Sequence, residues 1–234
     1  MGDDQIAPPP RWHMMLEGRV GLEASLLMLQ LPLLRMQVAR GQGPVMVLPG
    51  FMADDSSTWL LRRFLGSLGY SVSAWGMGLN RGSMMQYLQP LIEKLEVLSE
   101  RADELSSLVG WSRGGSLSRE IARERPDLIK NVITMGSPVR GGVNASSIGR
   151  LVMAQSGLTA DQINQMLRER QRRPIHTPIT AIYSKTDGVV SWQACVDDLN
   201  PNVTHHVVQG SHTGLGFNAD VYRLVAKSLA EQRT

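Results

Sequence analysis

A chain of 234 residues, 42% hydrophobic and 19% charged, has the length and composition of one medium globular domain with a sizeable core. Its formal charge of +3 is too small and too dispersed to point to nucleic acid. The lone cysteine, Cys195, excludes an intrachain disulfide and a cysteine-based zinc site.

Asp3 and Asp4 stand where a secretion signal would carry positive charge. The first apolar stretch, starting near Val20, is broken by Glu23, Gln30, Pro32 and Arg35, so neither a signal nor a membrane span is expected, and the expected location is cytoplasmic. Residues 1–13, with Pro8-Pro9-Pro10, read as extended or disordered. Within 16–39, Leu22, Leu26, Leu29, Leu33 and Met36 recur at helical spacing, and Pro32 is expected to kink or split that helix. This apolar stripe is expected to pack on the main domain, or else to touch lipid or cover a substrate entrance. Residues 1–40 thus form an N-terminal extension to a domain over 41–234.

From there strand and helix alternate. The apolar runs 45–48, 70–75, 105–111, 131–135, 179–183 and 203–208 read as strands. Helices are expected from Asp54-Asp55 to Leu68, over 84–101, 113–125 and 217–232. Residues 138–174 interrupt the rhythm with two short helices, the second opened by a Thr159-x-x-Gln162 capping box, and read as a small cap. The pattern predicts an α/β fold: a mostly parallel sheet of about six strands with helices on both faces. Arg168, Arg170, Arg172 and Arg173 read as a solvated helix face.

The chemistry centres on Gly110-Trp111-Ser112-Arg113-Gly114-Gly115, an apolar run ending in Gly-x-Ser-x-Gly before a helix. That is the strand–turn–helix setting in which a serine is lifted into a strained turn, and its neighbours two before and two after must lack side chains. A serine hydroxyl needs a base to become a nucleophile. Of five histidines, His13 sits in the extended N-terminus, His176 lies between prolines, and His205 and His206 are neighbours on a strand. His212, in Gly210-Ser211-His212-Thr213-Gly214, follows the last strand, where catalytic side chains converge in parallel sheets. The base in turn needs a carboxylate. Asp127 reads as a turn residue, Asp161 as part of a capped helix, and Asp197 and Asp198 as solvated residues of a short helix. Asp187, just past the fifth strand, fits best, although an Asp-Gly turn is the plainer role for it. The backbone N–H groups of Phe51 and Arg113 are the candidate oxyanion donors. Near these groups in the chain, Met52, Trp111, Val139, Val189 and Leu215 are expected to touch substrate. Met77, Leu79, Met84, Met85 and the cap residues Val152, Met153, Ile163, Met166 and Leu167 can line the same apolar site.

Together, Leu48-Pro49-Gly50-Phe51, the elbow, Gly136-Ser137-Pro138, the run from Tyr183 through Asp187 to Val190, and Gly210-Ser211-His212-Thr213-Gly214 resemble bacterial α/β-hydrolases of the small esterase/lipase type. The resemblance spans 45–229. It implies ester hydrolysis through an acyl-enzyme without cofactor, with Ser112 as nucleophile, Asp187 as acid, His212 as base, and Phe51 and Arg113 as oxyanion donors. Two departures stand out: Pro49-Gly50 where many such enzymes have His-Gly, and a charged Arg113 after the serine. The two front strands of the full fold are missing, with the 16–39 segment in their place. The expected substrate is a small-molecule or lipid ester. A thioesterase, amidase or acyltransferase would use the same triad, and a non-catalytic lipid- or partner-binding protein could use the same scaffold. Acyl chain length and oligomeric state stay open.

Overall fold

The computed structural model describes residues 6–231. Six strands form one sheet: β1 (Pro44–Leu48), β2 (Ser71–Ala74), β3 (Ser106–Trp111), β4 (Ile129–Met135), β5 (Ile179–Ser184) and β6 (Val203–Val208). Their order is β2-β1-β3-β4-β5-β6, and every pairing is parallel. Parallel neighbours need crossovers, and α3 (Trp59–Ser67), α4 (Leu88–Ala102) and α5 (Arg113–Glu124) supply the first three, while α8 (Ala219–Glu231) follows the last strand and packs on the sheet. Alternation along the central strands sends Val45, Val47, Val109, Ile133 and Ile182 to one face, where Phe64, Leu65, Tyr222 and Val225 cover them. Met46, Leu48, Leu108 and Val132 face the other way, onto Leu91, Leu95, Leu117 and Ile121. Between β4 and β5, α6 (Gly149–Ser156) and α7 (Ala160–Gln171) form the expected pair, and Thr159 and Gln162 close the capping box at the start of α7.

The N-terminal segment departs from its sequence reading. Of the stretch 1–13, residues 1–5 lie outside the described residues, and α1 (Arg11–Leu16) begins inside it, with His13 buried. A 3-10 turn, Glu17–Arg19, leads into α2 (Val20–Gln37), which runs unbroken through Pro32. Pro32 faces solvent, so the carbonyl it deprives of a donor is not trapped in the core. The stripe expected to pack inward is the one facing out: Leu22, Leu26, Leu29, Leu33 and Met36 are 46–84% exposed. Leu27 and Leu34 carry the packing instead, against the cluster containing Tyr222 and Leu215. The helix is apolar on both sides, so leucine spacing alone cannot distinguish the inner face from the outer. Among the described residues, no helix is long and apolar enough to cross a membrane.

Candidate active site

The site lies at the carboxyl ends of the strands. β3 delivers Ser112 into a turn with φ 52° and ψ −121°, a conformation side chains rarely adopt, and α5 starts at the next residue. The glycines allow this turn. A Cβ on Gly110 would run into Gly115, and one on Gly114 would collide with the carbonyls of Leu48 and Pro49. The loop after β1 passes beside the serine, with Gly50 placed so that a Cβ there would sit 3.5 Å from Ser112 Cβ. Buried Asn80 pins this loop: its Nδ2 donates to Pro49 O at 2.9 Å, and its backbone carbonyl accepts from Met52 N at 2.8 Å. Neither Phe51 N–H nor Arg113 N–H meets a protein acceptor among the described residues. The Arg113 side chain donates to Gly82 O at 2.7 Å and lies 5.5 Å over the Phe51 ring. Its burial pulls its pKa down.

Asp187 and His212 meet at the ends of β5 and β6, with His212 Nδ1 2.6 Å from Asp187 Oδ2. The other carboxylate oxygen accepts from Val189 N at 2.8 Å and Val190 N at 2.7 Å, so Asp187 is fixed from both sides. Burial acts to lower the His212 pKa, but the charge and hydrogen bond of Asp187, with a further contribution from Glu17, raise it above the ordinary value. Gly136 leaves room for the ring, since a Cβ there would lie 3.1 Å from His212 Nδ1. Among the described residues no hydrogen bond joins Ser112 Oγ to the imidazole. The two are drawn to one corner by Trp111, whose indole donates to His212 O at 3.2 Å.

A cavity of about 230 Å³ opens at Ser112, Phe51 and Arg113 and runs along α5 past Ser116, Arg119 and Arg123. Val139 and Val189 line it, with Met84, Met85, Val152, Ile163, Met166 and Leu167. Met52, Trp111 and Leu215 do not. Trp111 and Leu215 are packed into the core, and Met52, at φ 57°, turns its side chain out to solvent. Met77, Leu79 and Met153 are likewise absent from the lining. The far end of the cavity is polar. Asp197 is buried rather than solvated, where it pairs with Arg119 and accepts from Leu199 N and Asn200. Arg170 lines the cavity and pairs with Glu120 at 3.3 Å instead of joining a solvated face.

Sequence reasoning missed four residues that support the site: His13, Glu17, Glu23 and Asn80. One signal was available. Glu17 and Glu23 are the only acids in residues 6–40, an otherwise apolar and basic segment, and isolated acids in such a setting seldom lack a partner.

No family model matches the chain, and no curated protein matches it. Solved structures do. A metagenome-derived lipolytic enzyme of the LipS and LipT pair superposes with a TM-score of 0.62 at 15% identity, covering 84% of this chain and 96% of its own. A monoacylglycerol lipase from Paleococcus ferrophilus matches with a TM-score of 0.62 at 14% identity, over 82% of this chain and 97% of that one. Est1E from Butyrivibrio proteoclasticus gives 0.62 at 14% identity, over 82% and 89%. The six-stranded parallel sheet, its helical cover and these superpositions establish that the chain adopts the α/β-hydrolase fold.

Proposed function

We propose that the protein is a serine hydrolase that cleaves carboxylic esters through an acyl-enzyme. The observation that carries this reading is the 2.6 Å contact between His212 and Asp187 at the mouth of the corner that holds a strained, cavity-lining Ser112. Asp187 fixes the ring with its proton on Nδ1, which leaves Nε2 to act as base. Ser112 Oγ attacks the ester carbonyl and its proton passes to His212. The carbonyl oxygen, now negative, accepts from Phe51 N–H and Arg113 N–H, each donor contributing about 2.7–4 kcal/mol. The intermediate collapses, and the leaving alcohol takes the proton from the imidazolium. Water then attacks the acyl-enzyme by the same route and releases the acid. The apolar wall of Val139, Val152, Ile163, Met166 and Leu167 supports an acyl group as its occupant.

The test is turnover of p-nitrophenyl esters by the pure protein. Ser112→Ala should lower kcat by about 10⁴-fold or more while leaving the circular dichroism spectrum unchanged. Retained turnover in that variant would refute the reading. Assays with thioester, amide and competing alcohol acceptors distinguish the other reactions open to the same triad.

The outer face of α2 supports a second element of this reading, contact with an anionic lipid surface. Leu22, Leu29, Leu33 and Met36 are exposed there, with exposed Arg35 and Arg40 toward the C-terminal end of the helix. Both acids of the segment turn inward, so a second copy of this face would meet only like charge. Co-sedimentation with phosphatidylglycerol vesicles, lost in Leu29→Glu/Leu33→Glu, supports it. A dimer disrupted by the same pair would instead assign the face to a second copy.

A further inference from the structure

The two loops that carry Asp187 and His212 are tied together by a side chain from the other end of the sequence. Glu17 Oε1 accepts from Gly188 N at 2.9 Å and from His212 N at 2.8 Å. Its Oε2 accepts from Thr213 N at 2.9 Å. One carboxylate thus bridges the residue after the acid and the backbone of the base itself. Its neighbours act on the same loops. Glu23 accepts from Ser211 N at 2.8 Å and from Ser211 Oγ at 2.5 Å. Arg19 donates to Thr186 Oγ1 at 2.8 Å and pairs with Glu23 at 3.0 Å. His13 Nδ1 lies 3.3 Å from Asp187 O, and Gly188 has no room for a side chain, since a Cβ would meet His13 O at 2.5 Å.

We propose that Glu17 is a positioning residue of the triad: its carboxylate sets the spacing between the Asp187 loop and the His212 loop, which makes the N-terminal segment part of the active site. This rests on the reading of Ser112, Asp187 and His212 as a triad.

The physical case is one of reach and charge. Asp187 and His212 stand on separate loops 25 residues apart, and their contact holds only if both loops keep register. The N–H groups of His212 and Thr213 open a short helical turn, where the backbone has no carbonyl of its own to offer them. An ionised carboxylate is the strongest side-chain acceptor for such donors. Burial pushes the Glu17 carboxyl up, but the three N–H donors, with His212 beside it, outweigh burial and hold it below the ordinary carboxylate range. The bridge therefore stays charged at neutral pH. Its charge also reaches the imidazole. The ionisable groups around His212 are Asp187 on the loop after β5, Glu17, Glu23, Arg19 and His13 on the N-terminal segment, and Arg113 at the start of α5. Of the acids, Asp187 and Glu17 favour the protonated ring.

Two variants separate positioning from plain support. Glu17→Ala removes the bridge and should lower kcat about 10- to 100-fold with KM nearly unchanged, the scale of a small misplacement of catalytic groups. Glu17→Gln keeps a neutral acceptor for Gly188 N and His212 N. It should recover most of kcat, while the acid limb of the pH profile moves to lower pH because a negative charge beside the ring is gone. An NMR titration of His212 in wild type and Glu17→Gln reads the same change without turnover. The expected result is a lower midpoint in the variant, with shifted Gly188, His212 and Thr213 amides. An unmoved midpoint and unmoved amides in Glu17→Gln would overturn the proposal, as would a loss of stability in both variants with kcat per active site intact. If the midpoint shifts and wild type turns over no ester, thioester or amide, the hydrolase reading fails while the bridge stands.

Discussion

The nucleophile side of the site is held by the absence of side chains, whereas the base side is held by carboxylates. Ser112 stands on a turn that closes because Gly110, Gly114 and Gly115, themselves all within a few residues of the serine, let the elbow pack against itself, the end of β1 and Ser137. Asp187 and His212 stand on loops that depend on Glu17 and Glu23, more than 170 positions away. The first side is a steric construction whose glycines cluster around the serine in sequence, and the second a polar one whose carboxylates are distant in sequence. They should therefore fail differently: a change on the glycine side costs fold stability, and one on the carboxylate side costs catalysis and proton affinity.

The largest expected effect is on the base side. Asp187→Asn retains an oxygen for Val189 N and Val190 N, so the fold should survive. It loses the charge that holds the His212 tautomer, and kcat for an ester should fall about 10⁴-fold with little change in melting temperature. A smaller effect is expected from Gly114→Ala, which places a methyl group 2.6 Å from Pro49 O. Urea denaturation should show a loss of about 1–3 kcal/mol, the usual cost of overpacking. An unchanged midpoint would show that the turn has slack the steric account denies. The smallest effect is a pH shift. His212 must be unprotonated to act as base, and its raised pKa keeps it protonated to higher pH than a free histidine. Activity should fall below a midpoint lying above about 6.5, roughly tenfold per pH unit. A midpoint below that value would contradict the charge environment described here.

The same contrast explains what the sequence disclosed. The alternation of apolar runs with capped helices made the parallel sheet legible, because strand burial and helix capping are local signals. The elbow was legible because steric exclusion forces glycine at fixed spacing around Ser112. The partners of the carboxylates were not, since nothing near Glu17 in the chain indicates that loops near residues 188 and 212 come to it. The inner face of α2 was obscured by leucines on both sides, so burial fell to Leu27 and Leu34 rather than to the longer stripe. Trp111 and Leu215 were expected at the substrate from their nearness to Ser112 and His212. In a strand, however, the residue next to a site residue points to the opposite face, and Trp111 goes to the core.

The central claim is that residue 112 carries an activated hydroxyl, and covalent labelling tests it most directly. Treating the folded protein with a fluorophosphonate and mapping the adduct by mass spectrometry should place it on Ser112, with labelling abolished in Ser112→Ala. A folded protein that takes up no probe, or takes it up at another residue, would contradict the account.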